Sequence, residues 1–194
     1  MKEATRSKSH AAIKEICFIA TFLALLIVGS FITVNTGYVK FTLQLLVIFL
    51  IGLLAPLRTS MAVIFIYVVT GLLGLPIFAG FLGGFAQIYS PTFGFVYGFI
   101  PGLLVMGLFK KFLLDKTEKK WLYVIYAMLS CLVCTIIVYF FGTLHGYVIM
   151  NVVNNKGKDF AYILSVFILP YIPFDALKLA LAVSVSLVLK KYVH

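Results

Sequence analysis

Residues Ile163–Leu189 read ILSVFILPYIPFDALKLALAVSVSLVL. The run is apolar enough for a bilayer, yet it holds one acid and one base, Asp175 and Lys178. A charge at membrane depth costs about 2.5–3.5 kcal/mol at a helix centre, so it is retained for a reason. Asp175 and Lys178 are three residues apart, so a helix places them on one face, where they can neutralise each other. That face is expected to look into a cavity rather than at lipid. Pro170 and Pro173 come just before. Each removes a backbone donor, so the helix should kink or break ahead of Asp175. Broken helices at membrane depth occur where they line a cavity. The break and the charges therefore mark the same polar site.

Composition supports a membrane class. The chain has 194 residues, 63% hydrophobic and 11% charged, with mean hydropathy +1.12. A soluble domain of this size carries more polar surface, which makes this an all-α membrane protein. A transmembrane β-barrel would alternate apolar and polar residues, whereas the apolar runs here are continuous. Six spans are expected within a single integral domain covering 1–194, at about 16–35, 42–56, 60–79, 92–113, 121–143 and 161–189. Ile16–Val34 lacks a cleavage site and is taken as a retained first span, not a signal peptide.

The net charge of +10 would suggest nucleic acid in a soluble chain. Here its distribution gives a better account. Six spans put both termini on one side, with Lys2, Arg6, Lys8, Lys14, Arg58, Lys110, Lys111, Lys116, Lys119, Lys120, Lys190 and Lys191. The other side holds Lys40, Lys156 and Lys158. Twelve basic residues against three assign both termini to the cytoplasm, and no nucleic-acid partner is expected.

Cys17, Cys131 and Cys134 all lie in apolar segments. Cys131 and Cys134 have CxxC spacing but no second pair to complete a zinc site and no thioredoxin-like context. They are expected to be small buried residues, and no metal, cofactor or disulfide is expected. No GxxxxGK[ST] occurs, so the chain does not hydrolyse ATP itself.

Gly71–Gly98 reads GLLGLPIFAGFLGGFAQIYSPTFGFVYG, and its Gly80–Pro91 part forms an uncharged outer connection. Glycine permits close backbone approach. Ser90 suits a helix N-cap before Pro91. The segment is either a tightly packed re-entrant loop or an aromatic, glycine-backed wall for an apolar ligand. The second reading is favoured, because Gln87, Tyr89 and Tyr97 add hydrogen-bonding groups. Phe41-Thr42-Leu43-Gln44 opens the second span, where Gln44 is either interfacial or reaches a cavity. Ala20 and Ala24 have the small-xxx-small spacing that lets helices pack closely. Asp175 and Lys178 admit a structural pair, a proton or ion relay, or a ligand site. A relay needs further ionisable groups, and only His145 lies near, at the membrane edge. The structural and ligand readings stay level on the residues alone.

In this order, Phe41-Thr42-Leu43-Gln44, Gly71–Gly80, Gly83-Gly84, Pro91-Thr92 and Asp175-Ala-Leu-Lys178 resemble the biotin-specific substrate-binding (S) component of energy-coupling factor transporters. The resemblance covers residues 20 to 189. It implies a six-helix, multi-pass protein of the bacterial cell membrane that captures biotin at its outer face. It further implies partners: a membrane coupling protein and two cytoplasmic ATPases, with the S component toppling to release the vitamin inside. Asp175 and Lys178 would face the biotin head group. Thr42, Gln44, Phe78, Gly83, Gly84, Gln87, Tyr89 and Tyr97 would complete the site, and Ala20 and Ala24 would meet the coupling protein. The chain departs from the pattern at Ser90 and Phe174, where glycine is usual, and at Phe93-Gly94-Phe95, where Gly-Gly-Tyr is usual. These changes add bulk, so lipoate or a biotin precursor is carried as an alternative ligand on the same fold. An intramembrane enzyme such as an acyltransferase ranks lower. It would need a nucleophile, and neither Cys131 nor Cys134 has a histidine partner in sight.

Overall fold

The computed structural model describes residues 2–35 and 40–193, with side chains described for 12–34 and 41–190. The chain runs through α1 (Lys2–Phe31), β1 (Thr33–Asn35), β2 (Lys40–Thr42), α2 (Gln44–Leu54), α3 (Leu57–Leu72), α4 (Phe93–Phe109), α5 (Lys120–Val148), α6 (Phe160–Phe167) and α7 (Ile172–Val193). The connection expected between the first two spans is an antiparallel hairpin, pairing Thr33 with Thr42 and Val34 with Phe41. The crossing of that hairpin lies outside the described residues.

Among the described residues, four helical segments are long and apolar enough to cross a membrane: Ala12–Phe31, Phe93–Leu114, Lys120–Val153 and Ile172–Lys190. The second and third expected spans are shorter helices, Gln44–Leu54 and Leu57–Leu72. At 1.5 Å per residue, α2 extends only about 16 Å. Its apolar character also answers to burial within the protein. Nine of its residues, Gln44, Leu45, Val47, Ile48, Phe49, Ile51, Gly52, Leu53 and Leu54, are buried inside the protein, so α2 is a core helix. The third span was expected to reach residue 79, but α3 ends at Leu72. Gly74 (φ +112°) and Pro76 end it, and the chain turns back over the core. A 3-10 turn at Phe85–Tyr89 then leads into α4.

The expected sixth span is two helices. Ile168 N–H still bonds Leu164 O (3.0 Å), Tyr171 N–H closes a turn on Ile168 O (2.8 Å), and Asp175 N–H bonds Tyr171 O (2.8 Å). Pro170 sits in the turn and Pro173 in the first turn of α7, where its missing donor costs nothing. Asp175 thus enters on a fresh helical turn.

Helices α4 and α5 pack with little between them. Gly94, Gly98 and Gly102 fall at four-residue spacing on α4 and all face α5. A Cβ on Gly94 would lie 2.5 Å from His145 Cβ, and one on Gly102 would lie 2.8 Å from Cys134 Sγ. This small-residue stripe lets the two helices approach closely. At its far end α4 continues into a π turn, Lys110–Leu114. Lys110, counted in the sequence among the basic residues of the cytoplasmic side, is 5% exposed and bonded to Asp115 at 2.7 Å. The turn brings them together, since Asp115 N–H also bonds Lys110 O at 2.9 Å.

Candidate ligand-binding cavity

The hairpin, α2, the post-α3 loop, α4, α5 and the α6–α7 break enclose a cavity of about 250 Å³. Most of its wall is apolar and aromatic: Phe41, Phe78, Phe93, Phe95, Phe99, Val138, Phe167 and Tyr171. Thr42, Gln44, Gln87, Ser90, Thr92, Tyr139, Asp175 and Lys178 add polar atoms to it. An apolar pocket with a few converging polar groups is the usual form of a small-molecule site.

The charged end is tightly constrained. Lys178 Nζ donates to Asp175 Oδ1 at 2.6 Å, and Tyr139 Oη donates to Asp175 Oδ2 at 2.5 Å. These are lengths of charge-assisted bonds. The Lys178 ammonium also lies 4.1 Å from the centroid of the Phe41 ring, within cation–π range. Phe41 in turn stacks on Tyr171 (5.8 Å) and meets Phe174 edge-on (4.7 Å). Phe174, one of the departures noted in the sequence, therefore buttresses Phe41 without itself lining the cavity. Asp175 and Lys178 are 7% and 6% exposed, so neither charge is dispersed by bulk water.

Gln44 is held at both ends of its amide. Its Nε2 donates to Tyr67 Oη (2.7 Å), and its Oε1 accepts from the Thr42 hydroxyl (3.1 Å). Tyr67 Oη in turn donates to Ile77 O at 3.1 Å, tying α2 and α3 to the loop that carries Phe78. On the opposite wall, His145 Nε2 is 3.2 Å from Ser90 O, which pins the approach to α4. His145 is thus engaged with a backbone carbonyl rather than with Asp175.

Of the residues singled out in the sequence, Thr42, Gln44, Phe78, Gln87, Asp175 and Lys178 come together on the cavity wall. Gly83, Gly84, Tyr89 and Tyr97 do not line it. A Cβ on Gly83 would collide with Leu75 O, and Gly84 (φ +93°) donates its N–H to Gly71 O at 2.7 Å, so this pair folds the loop back on α3. Tyr89 is 62% exposed. Tyr97 packs against Phe93, Phe141 and His145, behind the wall. Ala20 and Ala24 are exposed on α1, away from the cavity. Cys131 and Cys134 are buried free thiols, and no metal-binding group of side chains occurs among the described residues.

The sequence reading missed Tyr139. Its hydroxyl sits in mid-helix of an apolar span, the same kind of signal that exposed Asp175, but its partner is 36 residues away. It also missed the aromatic contributions of Phe41, Phe167 and Tyr171, whereas Phe93 and Phe95, noted as bulky departures, do line the cavity.

The BioY family profile matches residues 1–194. The chain belongs to the BioY family. A Thermotoga maritima protein named Biotin transporter BioY is 34% identical over 170 residues, covering 88% of this chain and 92% of that one. A Pyrococcus horikoshii protein named Probable biotin transporter BioY is 35% identical over 173 residues, covering 89% and 94%. The fold is similar to the crystal structure of the S-component for biotin from an ECF-type ABC transporter. The TM-score is 0.79 at 23% identity, over 94% of this chain and 93% of that one. In this BioY chain the two buried charges follow the α6–α7 break, and Phe93, Phe95 and Phe99 of α4 line the cavity.

Proposed function

We propose that this protein is the substrate-capture subunit of an energy-coupling factor importer, and that biotin is its ligand. Membership of a transporter family sets aside the intramembrane-enzyme alternative. The observation that carries the ligand reading is the Tyr139–Asp175–Lys178 cluster, facing an aromatic cavity in a BioY chain. A cyclic urea has two N–H donors and one carbonyl acceptor. Asp175 has lone pairs to receive the donors, and Lys178 has protons left for the carbonyl. The aromatic wall suits the apolar ring and chain of such a molecule. Thr42, Gln44, Phe78 and Gln87 are proposed as further contacts, alongside Asp175 and Lys178. Lipoate, whose ring is a disulfide, has no N–H to offer Asp175.

We further propose six membrane crossings with both termini cytoplasmic, the cavity opening outward, and work in concert with a coupling protein and two ATPases. The basic-residue bias supports the orientation. The exposed, closely spaced Ala20 and Ala24 suit a helix–helix contact with the coupling protein.

The test is calorimetric titration of the purified, monodisperse protein with biotin and with lipoate, after mass spectrometry of the ligand it retains from a biotin-containing medium. Saturable biotin binding with lipoate inert supports the assignment. Tight lipoate binding with biotin inert replaces it.

A further inference from the structure

The two oxygens of Asp175 are held by donors from different helices. Lys178, on α7 itself, donates to Oδ1 at 2.6 Å, and Tyr139, on α5, donates to Oδ2 at 2.5 Å. A carboxylate held by Lys178 alone could turn about its last torsion, because terminal sp³–sp² torsions are broad. With the second donor fixed on a neighbouring helix, its plane is fixed too. Tyr139 is itself restrained: its ring meets Phe95 edge-on at 6.5 Å, and its backbone carbonyl accepts from the Thr143 hydroxyl at 2.7 Å. Each Asp175 oxygen keeps one lone-pair direction open, and the cavity is where a third partner can approach. The Tyr139 hydroxyl has a single proton, already committed to Asp175, so its oxygen can only accept from anything else nearby.

We infer that Tyr139 is a positioning and specificity-determining residue of the binding site. It aims the free lone pairs of Asp175 into the cavity and makes that end select for ligands carrying N–H donors. This inference rests on the biotin reading above and adds to it a residue that touches the ligand's partner rather than its ring. Selection follows from an asymmetry. An N–H facing a fixed carboxylate lone pair gains a charge-assisted bond. An oxygen facing it leaves both groups unsatisfied and repelling. If the carboxylate were free to turn, it could relieve that repulsion, and the discrimination would fall.

Tyr139→Phe keeps the ring against Phe95 and removes only the hydroxyl. Wild-type protein and Tyr139→Phe are titrated with biotin and with its two cyclic carbamate analogues, in each of which one ureido N–H is replaced by oxygen. The analogues keep the shape of biotin and lose one donor. Failure of wild-type protein to bind biotin would sink the functional reading itself. Once wild-type binding is in hand, Tyr139→Phe should bind biotin at least fivefold more weakly. Its preference for biotin over at least one analogue should shrink by a similar factor. A purely structural tyrosine would weaken all three ligands alike and leave the preference unchanged, which would overturn the inference. Unchanged biotin affinity would overturn it as well. Ligand-free thermal melting of both proteins separates loss of fold from loss of aim: if Tyr139→Phe does not fold, Tyr139 is a stability residue and the inference fails.

Discussion

Lys178 and Asp175 stand 2.6 Å apart, and Lys110 and Asp115 stand 2.7 Å apart, yet the two ion pairs are built differently. Both side chains of the first pair are 8% exposed. In the second, the Lys110 side chain is 7% exposed while that of Asp115 is 39% exposed. The first pair shares a helical face, borders a cavity and has a third polar partner from another helix. The second joins the two ends of one π turn, and the same two residues are already linked through their backbones. Distance alone does not separate a site from a brace. Whether open space adjoins the pair does. Burial also sets the stakes, because a half-exposed pair is solvated when broken and a buried one is not.

The largest effect is expected at Lys178. Lys178→Met leaves the Asp175 carboxylate buried with only a neutral hydroxyl opposite. Removing one partner of a buried pair costs about 3–5 kcal/mol. Denaturation in detergent should show a loss on that scale, together with weakened ligand binding; a loss no larger than that of the Lys110–Asp115 pair would erase the contrast. Next comes Asp175→Asn, which keeps shape and removes charge. Ligand affinity should fall at least about tenfold, roughly 1.4 kcal/mol, with a smaller loss of ligand-free stability than Lys178→Met. Intact affinity alongside a large stability loss would turn the first pair into a second brace.

Asp115→Asn should cost about 1 kcal/mol or less in stability and leave affinity untouched, because Asp115 is part-exposed and remote from the cavity. A tenfold loss of affinity there would join the two ends of α4 functionally and undo the comparison. The smallest effect belongs to Tyr97→Phe. Tyr97 stands behind Phe93, so affinity should change by less than about twofold, within the scatter of a surface substitution. A larger change would move the cavity wall outward.

The charged pair was legible in the sequence because charge at membrane depth is costly enough to stand out. The helix break was legible because Pro170 and Pro173 cannot serve as donors. That α2 is buried in the core was not legible, for a physical reason. A helix buried on all sides and a helix facing lipid have the same apolar composition, and only its length of 11 residues separates them. The burial of Lys110 was not legible because a lysine at a helix end ordinarily reaches water, and nothing local announces a π turn. Tyr139 escaped because tyrosine is common in apolar spans and its meaning depends on a partner distant in the chain. Gly83 and Gly84 were read as wall when they are the fold that holds the wall.

The Gly94–Gly98–Gly102 stripe has a consequence for where the chain can vary. It lies on the α4 face turned to α5, and α5 carries Tyr139. The spacing between these helices is therefore set by hydrogen atoms instead of side chains. Functional constellations work within about 0.5 Å of their productive geometry, which is less than the thickness of one methyl group. An alanine at any of the three positions would act as a shim, setting α5 back and drawing the Tyr139 hydroxyl off Asp175 without touching either. The alignment of the binding site is gauged by residues that have no side chain, at positions a survey of cavity-lining groups would pass over.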